Sequence, residues 1–126
     1  MSKRPIPAKS ELEVARIVWD LGVATVRQVL DALPVERGLD FKTVQTYLRR
    51  LEAKGYLETR REGRSNVYRP IIRPDQVVGE VTDDFLNRLF DGQVLPLFQH
   101  LVNDRGLSDV EIRQLRELLD RLEDES

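Results

Sequence analysis

The nine residues from Lys42 to Arg50 combine cations, hydroxyls and an amide, and none of them is acidic. The polar positions are Lys42, Thr43, Gln45, Thr46, Arg49 and Arg50. Arg can form paired hydrogen bonds with guanine and Gln with adenine, and Thr can contact the methyl group of thymine. A helix face that serves only solubility would normally mix acids with the cations. The segment is therefore a candidate for contact with the base edges of duplex DNA.

A second group of cations follows in the segment REGRSNVYRP. Arg60, Arg61 and Arg64 surround Gly63, which can supply the positive φ of a tight hairpin turn. Cations beside a groove-binding helix suit phosphate oxygens, which position a protein on DNA without reading its sequence. Lys42 and Arg50 fit the same role, so we predict DNA contacts from Arg60 and Arg64 as well as from the helix.

The formal net charge of −2 conceals two halves of opposite sign. Residues 1–73 hold 15 Lys and Arg against 9 Asp and Glu, a balance of +6, whereas residues 74–126 hold 5 against 13, a balance of −8. A basic half favours a polyanion, and an acidic half favours solvent or another protein. Charge alone does not decide whether the basic half binds nucleic acid or is simply a solvated surface.

The residue pattern of the basic half predicts three helices followed by a hairpin. A capping box from Ser10 to Glu13 predicts a first helix that ends at Leu21. Thr25 is the expected N-cap of a second helix that Pro34 closes, after a short extended link at residues 23–24. The segment VERGLD reads as loop.

Asp40 is the expected N-cap of the third helix, which carries the polar segment outside and Val44, Leu48 and Leu51 inside, and Gly55 ends it. Strands over residues 56–61 and 67–71 complete a winged helix-turn-helix pattern.

The acidic half reads as three helices with more apolar surface than they can enclose. The pattern predicts a helix that ends before Gly92, a short helix with Pro96 in its first turn, and a last helix capped by Ser108 and Glu111. About 50 residues cannot bury such faces alone, so the helices either cover the first half or pair with a second copy. We favour pairing through the apolar positions Val81, Phe85, Leu89, Phe98, Leu101, Ile112, Leu115, Leu119 and Leu122. The fold class expected is mainly α with a small β-hairpin: a winged-helix domain over residues 1–73 and a helical dimerisation domain over residues 74–126.

Composition argues against catalysis. The chain has one histidine, His100, and no cysteine, and it lacks zinc-hydrolase, dinucleotide-binding, phosphate-loop and serine-nucleophile motifs. We therefore expect no enzyme activity, no metal site and no cofactor. The sequence has no apolar run of membrane-spanning length and no signal peptide, so a cytoplasmic location is expected.

Three segments resemble the penicillinase-repressor family, the BlaI/MecI-type bacterial regulators that include copper-responsive members. They are ELEVARIVWDLGVATVRQVLDALP, LDFKTVQTYLRRLEAKGYL and REGRSNVYRPII. The resemblance implies a homodimeric winged-helix repressor that binds an inverted-repeat operator and dimerises through its C-terminal helices. It also implies that the helix with the polar segment is the recognition helix and that Arg64 lies on the wing.

Two features depart from the family pattern. Copper-responsive members end in a cysteine cluster, and this chain has no cysteine, which excludes copper sensing through thiolates. Antibiotic-responsive members are inactivated by cleavage of an Asn-Phe bond, where this chain has His100-Leu101. The resemblance thus implies a membrane-bound sensor protease as a further candidate partner, with the bond between His100 and Leu101 as its candidate site.

The sequence as a whole predicts a dimeric, sequence-specific repressor that blocks a promoter by occupying two half-sites about one helical turn apart. The alternative is a winged-helix module that docks an acidic protein through the same basic faces and has no operator.

Overall fold

The computed structural model describes residues 4–125, which form six α-helices and three β-strands. The helices are α1 (Lys9–Leu21), α2 (Val26–Ala32), α3 (Phe41–Ala53), α4 (Pro74–Phe90), α5 (Val94–His100) and α6 (Asp109–Glu125). The strands are β1 (Ala24–Thr25), β2 (Leu57–Glu62) and β3 (Ser65–Pro70). The prediction of a mainly helical chain with a winged helix-turn-helix is confirmed.

The strands form one antiparallel sheet in the order β1-β3-β2. β2 and β3 make the predicted hairpin, in which Glu62 pairs with Ser65 across a two-residue turn that begins at Gly63 with a φ of +62°. β1 was not predicted as a strand, since residues 23–24 read only as an extended link. Two residues carry almost no local signal, and β1 exists because Ala24 and Thr25 pair with Tyr68 and Val67 of β3.

The chain divides into two compact units within α4, between Thr82 and Asp83. The first unit has a continuous core between α1, α2, α3 and the sheet. Val44, Leu48 and Leu51 on the inner side of α3 are fully buried, as predicted. Val77, in the first half of α4, is 1% exposed and belongs to the same core.

The predicted start of the first helix was wrong. α1 begins at Lys9 with Ala8 as its N-cap, so Ser10 lies inside the first turn. The acid that bonds back to the N-cap is Glu11 and not Glu13. The Glu11 carboxylate accepts a hydrogen bond from the Ala8 N–H at 2.9 Å. Glu11 is buried because it also pairs with Lys54, 43 residues further along the chain, and no local pattern reveals that partner. The caps predicted at Thr25 and Asp40 are confirmed.

The second unit contains the end of α4, α5, a π-helical turn at Leu101–Arg105, and α6. Its three predicted helices are present, and the capping box of α6 joins Ser108 and Glu111 through bonds of 2.9 and 3.1 Å. Between Asp83 and Glu125, no residue that the structure describes is buried. This unit therefore has no enclosed core of its own within one chain.

Candidate nucleic-acid interface

The N-terminal cap and the buried side of α3 fix which of its side chains face outward. Asp40 Oδ1 accepts the Thr43 N–H at 2.8 Å, which starts the helix. Val44, Leu48 and Leu51 then anchor one face in the core. Because a helix turns 100° per residue, the polar positions between these anchors project away from the core.

The structure brings the six predicted positions of α3 to one surface but exposes them unequally. Lys42, Thr46, Arg49 and Arg50 are exposed, and Thr43 and Gln45 are half-buried. The three cations and Thr46 therefore form the outer part of this surface, and Thr43 and Gln45 lie closer to the core.

The two threonines of this surface are already engaged in local hydrogen bonds. The Thr43 hydroxyl and amide bond to Asp40 and hold the pKa of that carboxyl below its ordinary value. A base contact from the Thr43 hydroxyl would have to share or replace this bond. The Thr46 hydroxyl donates to the Lys42 carbonyl at 3.0 Å, so Thr46 offers its methyl group and its oxygen lone pairs outward.

The cations of this surface form no ion pair with an acidic side chain among the described residues. Elsewhere in the first unit, Arg37 pairs with Glu13 at 2.8 Å and Lys54 pairs with Glu11 at 2.6 Å. The cations without an ion pair include Lys42, Arg49, Arg50, Arg60 and Arg64. An unpaired cation can bind a phosphate without first breaking a bridge, so these five are electrostatically available.

The hairpin places its arginines differently. Arg60 and its neighbour Arg61 project from opposite faces of β2, because side chains alternate along a strand. Arg60 shares its face with Glu58 and Glu62, which reduces the positive potential there. Arg64 lies in the turn itself and is exposed, so it is the best-placed cation of the hairpin.

Arg27 and Phe41 form a contact that the sequence reasoning missed. The Arg27 guanidinium of α2 lies 5.4 Å from the centre of the Phe41 ring, at the start of α3. Phe41 is 41% exposed although its neighbours on the inner face are buried. An exposed aromatic residue directly after an N-cap was the available signal. The pair links the two helices of the helix-turn-helix where α3 begins.

The predicted dimerisation positions occupy α4, α5 and α6 and the π-helical turn. Phe85, Leu89, Phe98, Leu119 and Leu122 are exposed by 39–66%, and Val81, Leu101, Ile112 and Leu115 are half-buried. Of these, Val81 lies in the first unit and the others in the second.

His100 is exposed at the end of α5, and its Nδ1 lies 2.9 Å from Asp104 Oδ2. Both side chains are more than half exposed and lie one helical turn apart, so the pair lies on the surface and not in an enclosed site.

Comparison with known proteins identifies the family. The family model described as penicillinase repressor matches residues 7–121. This chain belongs to the penicillinase repressor family. Members of this family are DNA-binding transcriptional repressors and not enzymes, so the sequence-based predictions of a DNA-binding repressor without enzyme activity are confirmed.

A curated relative and two solved structures give the extent of the likeness. The penicillinase repressor of Bacillus licheniformis is 32% identical over 120 residues, which cover 95% of this chain and 94% of the relative. The solution structure of the DNA-binding domain of the repressor BlaI has a TM-score of 0.51 and 36% identity, covering 59% of this chain and 90% of that one.

The third likeness is to a protein–DNA complex. It is the solution structure of the monomeric form of Bacillus licheniformis BlaI with the blaP half-operator, at a TM-score of 0.50 and 36% identity, covering 60% of this chain and 92% of that one. Residues 4–125 of this penicillinase repressor family member include no helix that is both long enough and apolar enough to cross a membrane.

Proposed function

We propose that this chain is a dimeric repressor that occupies an inverted-repeat operator, with the α3 helix of each subunit in one half-site. The observation that carries the proposal is the outer face of α3, where exposed cations without acidic partners surround half-buried hydrogen-bonding groups. The face is held outward by three fully buried anchors, which gives it a fixed orientation toward a groove.

The side chains of α3 divide by chemistry into two roles. Arg49, Gln45 and Thr46 read base edges, since their donors, acceptors and methyl group match the patterns in the major groove. Lys42, Arg50, Arg60 and Arg64 bind phosphates. Thr43 contributes by capping the helix through Asp40 and so orients the N-terminal turn that approaches the bases.

One subunit per half-site is supported by the relative of known structure. The monomeric form of BlaI was determined with a half-operator, and its likeness to this chain covers 60% of the present sequence at 36% identity. This supports the proposal that one first unit binds one half-site and that two such units, related by the symmetry of a dimer, match an inverted repeat.

Dimerisation is supported by the apolar surface of the second unit. Leu89, Leu95 and Leu122 are 63–67% exposed, and nothing between Asp83 and Glu125 is buried among the described residues. Such faces are stabilised by a second copy, because a segment of about 45 residues is too small to form a sufficient core.

The proposal is tested by fluorescence anisotropy with duplexes from the chromosomal region upstream of the chain's own reading frame. At about 150 mM salt, we expect one segment to bind at least about 10³-fold more tightly than a shuffled duplex of equal length. Equal affinity for both duplexes would reject sequence-specific repression and would favour the winged-helix module that docks an acidic protein.

We further propose that the repressor acts in the cytoplasm and that a membrane-bound sensor protease relieves repression by cutting between His100 and Leu101. The bond lies where α5 gives way to a π-helical turn, and His100 is exposed. Membranes from cells in the induced state should release a fragment that begins at Leu101 by N-terminal sequencing. A fragment with another first residue, or none, would remove this bond from the proposal.

A further inference from the structure

An N-terminal strap, residues 4–8, is bound to the rest of the first unit at three points. Arg4 Nη1 lies 2.6 Å from Glu80 Oε2 of α4. The Tyr56 hydroxyl donates to the Pro5 carbonyl oxygen at 2.8 Å. The Ala8 N–H donates to Glu11 at 2.9 Å. A segment outside the helices and the sheet therefore has a defined path across the unit.

The strap contacts Tyr56, which follows the recognition helix α3 closely in the sequence. Tyr56 is the second residue after the C-cap of α3, and its N–H donates to the Leu51 carbonyl of that helix at 2.9 Å. The Arg4 guanidinium lies over the Tyr56 ring, 5.8 Å from its centre. Arg4 thus contacts both a residue that closely follows the reading helix and an acid of α4.

α4 is the element that continues from the first unit into the second. Its first half is attached to the first unit by Val77, which is 1% exposed, and by the bond that Arg4 donates to Glu80. Val77, Val78 and Val81 also line an apolar groove of about 590 Å³ together with Trp19 of α1. The Arg4–Glu80 ion pair is therefore a second attachment of α4 to the first unit, beside the buried Val77 and the groove.

We infer that Arg4 is a positioning residue that holds α4 in one orientation on the DNA-reading unit and thereby sets the half-site separation that the dimer accepts. The inference rests on the proposed dimeric function. A pair of DNA-reading units distinguishes operator spacings only if each unit has a fixed direction relative to the helix that leads to its partner. Arg4 itself is occupied by Glu80 and does not serve as a phosphate ligand.

The experiment uses full-length protein and a series of operators whose half-sites are separated by the natural spacer or by one to four base pairs more or fewer. Arg4→Gln and Glu80→Gln break the same ion pair but change the net charge in opposite directions. An effect that both variants share therefore reflects the pair and not the charge. A third variant, Arg4→Glu with Glu80→Arg, restores the pair with its polarity reversed.

We expect both single variants to bind an isolated half-site like the wild type, apart from small opposite shifts due to charge. Their discrimination between the best and the altered spacings should fall about two- to fivefold, the effect of losing one partly exposed ion pair. The reversed pair should restore the discrimination.

A readout without DNA separates this inference from the proposed function. Trp19 is the sole tryptophan of the chain and lines the groove against α4. Loosening of α4 should move the Trp19 emission to longer wavelength in both single variants and back in the reversed pair.

If the wild type discriminates spacings and both single variants retain that discrimination in full, the inference is overturned while the proposed function stands. If the wild type binds no operator preferentially, the proposed function fails, and the Trp19 emission alone then decides whether the strap restrains α4.

Discussion

Glu11 is the most deeply buried charged side chain among residues 4–125, at 2% exposure. Burial raises the pKa of its carboxyl, but the hydrogen bond from Lys54, the Ala8 amide and the charges of Lys54 and Arg50 together hold the pKa below its ordinary value of 4.5. The acid joins the start of α1 to the C-cap of α3 through Lys54 Nζ at 2.6 Å. One residue therefore couples the start of α1 to the helix that carries the candidate interface.

The Glu11→Gln variant should be less stable by about 1–2 kcal/mol at pH 7, because Lys54 would keep its charge without a carboxylate partner. Glu13→Gln is the matched control on the same helix. Its pair with Arg37 is about one-third exposed, so its loss should cost less than about 1 kcal/mol. Urea denaturation with each variant measures both values, and equal losses would contradict the role of burial.

The same pair predicts a pH dependence with a defined sign. The pKa of Glu11 is lower in the folded than in the unfolded chain, so its stabilisation is present above about pH 4.5 and is lost as the pH falls through the folded value. Between pH 7 and pH 3, the free energy of unfolding of the wild type should therefore fall more than that of Glu11→Gln. Parallel curves for the two proteins would show that Glu11 is not the titrating group.

At the scale of elements, the sequence predicted what local chemistry determines. Thr25, Asp40 and Ser108 cap the helices at the positions their residue types indicate, since each cap bonds a backbone group only three residues away. The start of α1 was misplaced and β1 was missed, because Glu11 and Ala24 depend on partners more than 40 residues away.

The candidate interface was predictable in part for the same reason. The helical period placed Lys42, Arg49 and Arg50 on the outside of α3, where the structure has them exposed. The engagement of Thr43 by Asp40 and the stacking of Arg27 on Phe41 depend on rotamers and on the packing of two helices. A list of residue types does not contain that information.

Substitutions at two glycines test the backbone conformation of the wing and of α4. Gly63 has a φ of +62° with open space around it, so Gly63→Ala should cost about 1–2 kcal/mol through backbone strain alone. Gly79 lies inside α4 with open space and no positive φ, so Gly79→Ala should stabilise the protein by about 0.5–1 kcal/mol. Thermal unfolding of both variants gives the signs. A stabilising Gly63→Ala would show that the turn is not held in this conformation.

At the scale of the whole molecule, the two halves differ in charge and in burial. The basic half encloses a core and presents unpaired cations, and the acidic half exposes apolar helices. This division suits a protein in which one part meets a polyanion and the other meets a copy of itself. If both parts were basic, the helices that we propose for dimerisation would also be attracted to DNA.

Sedimentation equilibrium tests whether the acidic half pairs with a second copy of the chain. The wild type should have about twice the monomer mass of 14.6 kDa, and Leu119→Asp should shift it toward the monomer because the substitution places a charge in an apolar seam. Val35→Asp is the control, since Val35 is 90% exposed in the first unit and should leave the dimer intact. A Leu119→Asp protein that remains dimeric would place the interface elsewhere.

The central claim is that the outer face of α3 reads base edges, and a base-pair substitution scan of the operator tests it most directly. The scan compares the wild type with Arg49→Ala and, as a control, Arg64→Ala on the wing. We predict that Arg49→Ala abolishes a discrimination of about 1–3 kcal/mol at one base pair in each half-site and leaves the other positions unchanged. Arg64→Ala should weaken all sequences by one factor. If Arg49→Ala also weakened every sequence equally, α3 would contact phosphates alone and the claim would be wrong.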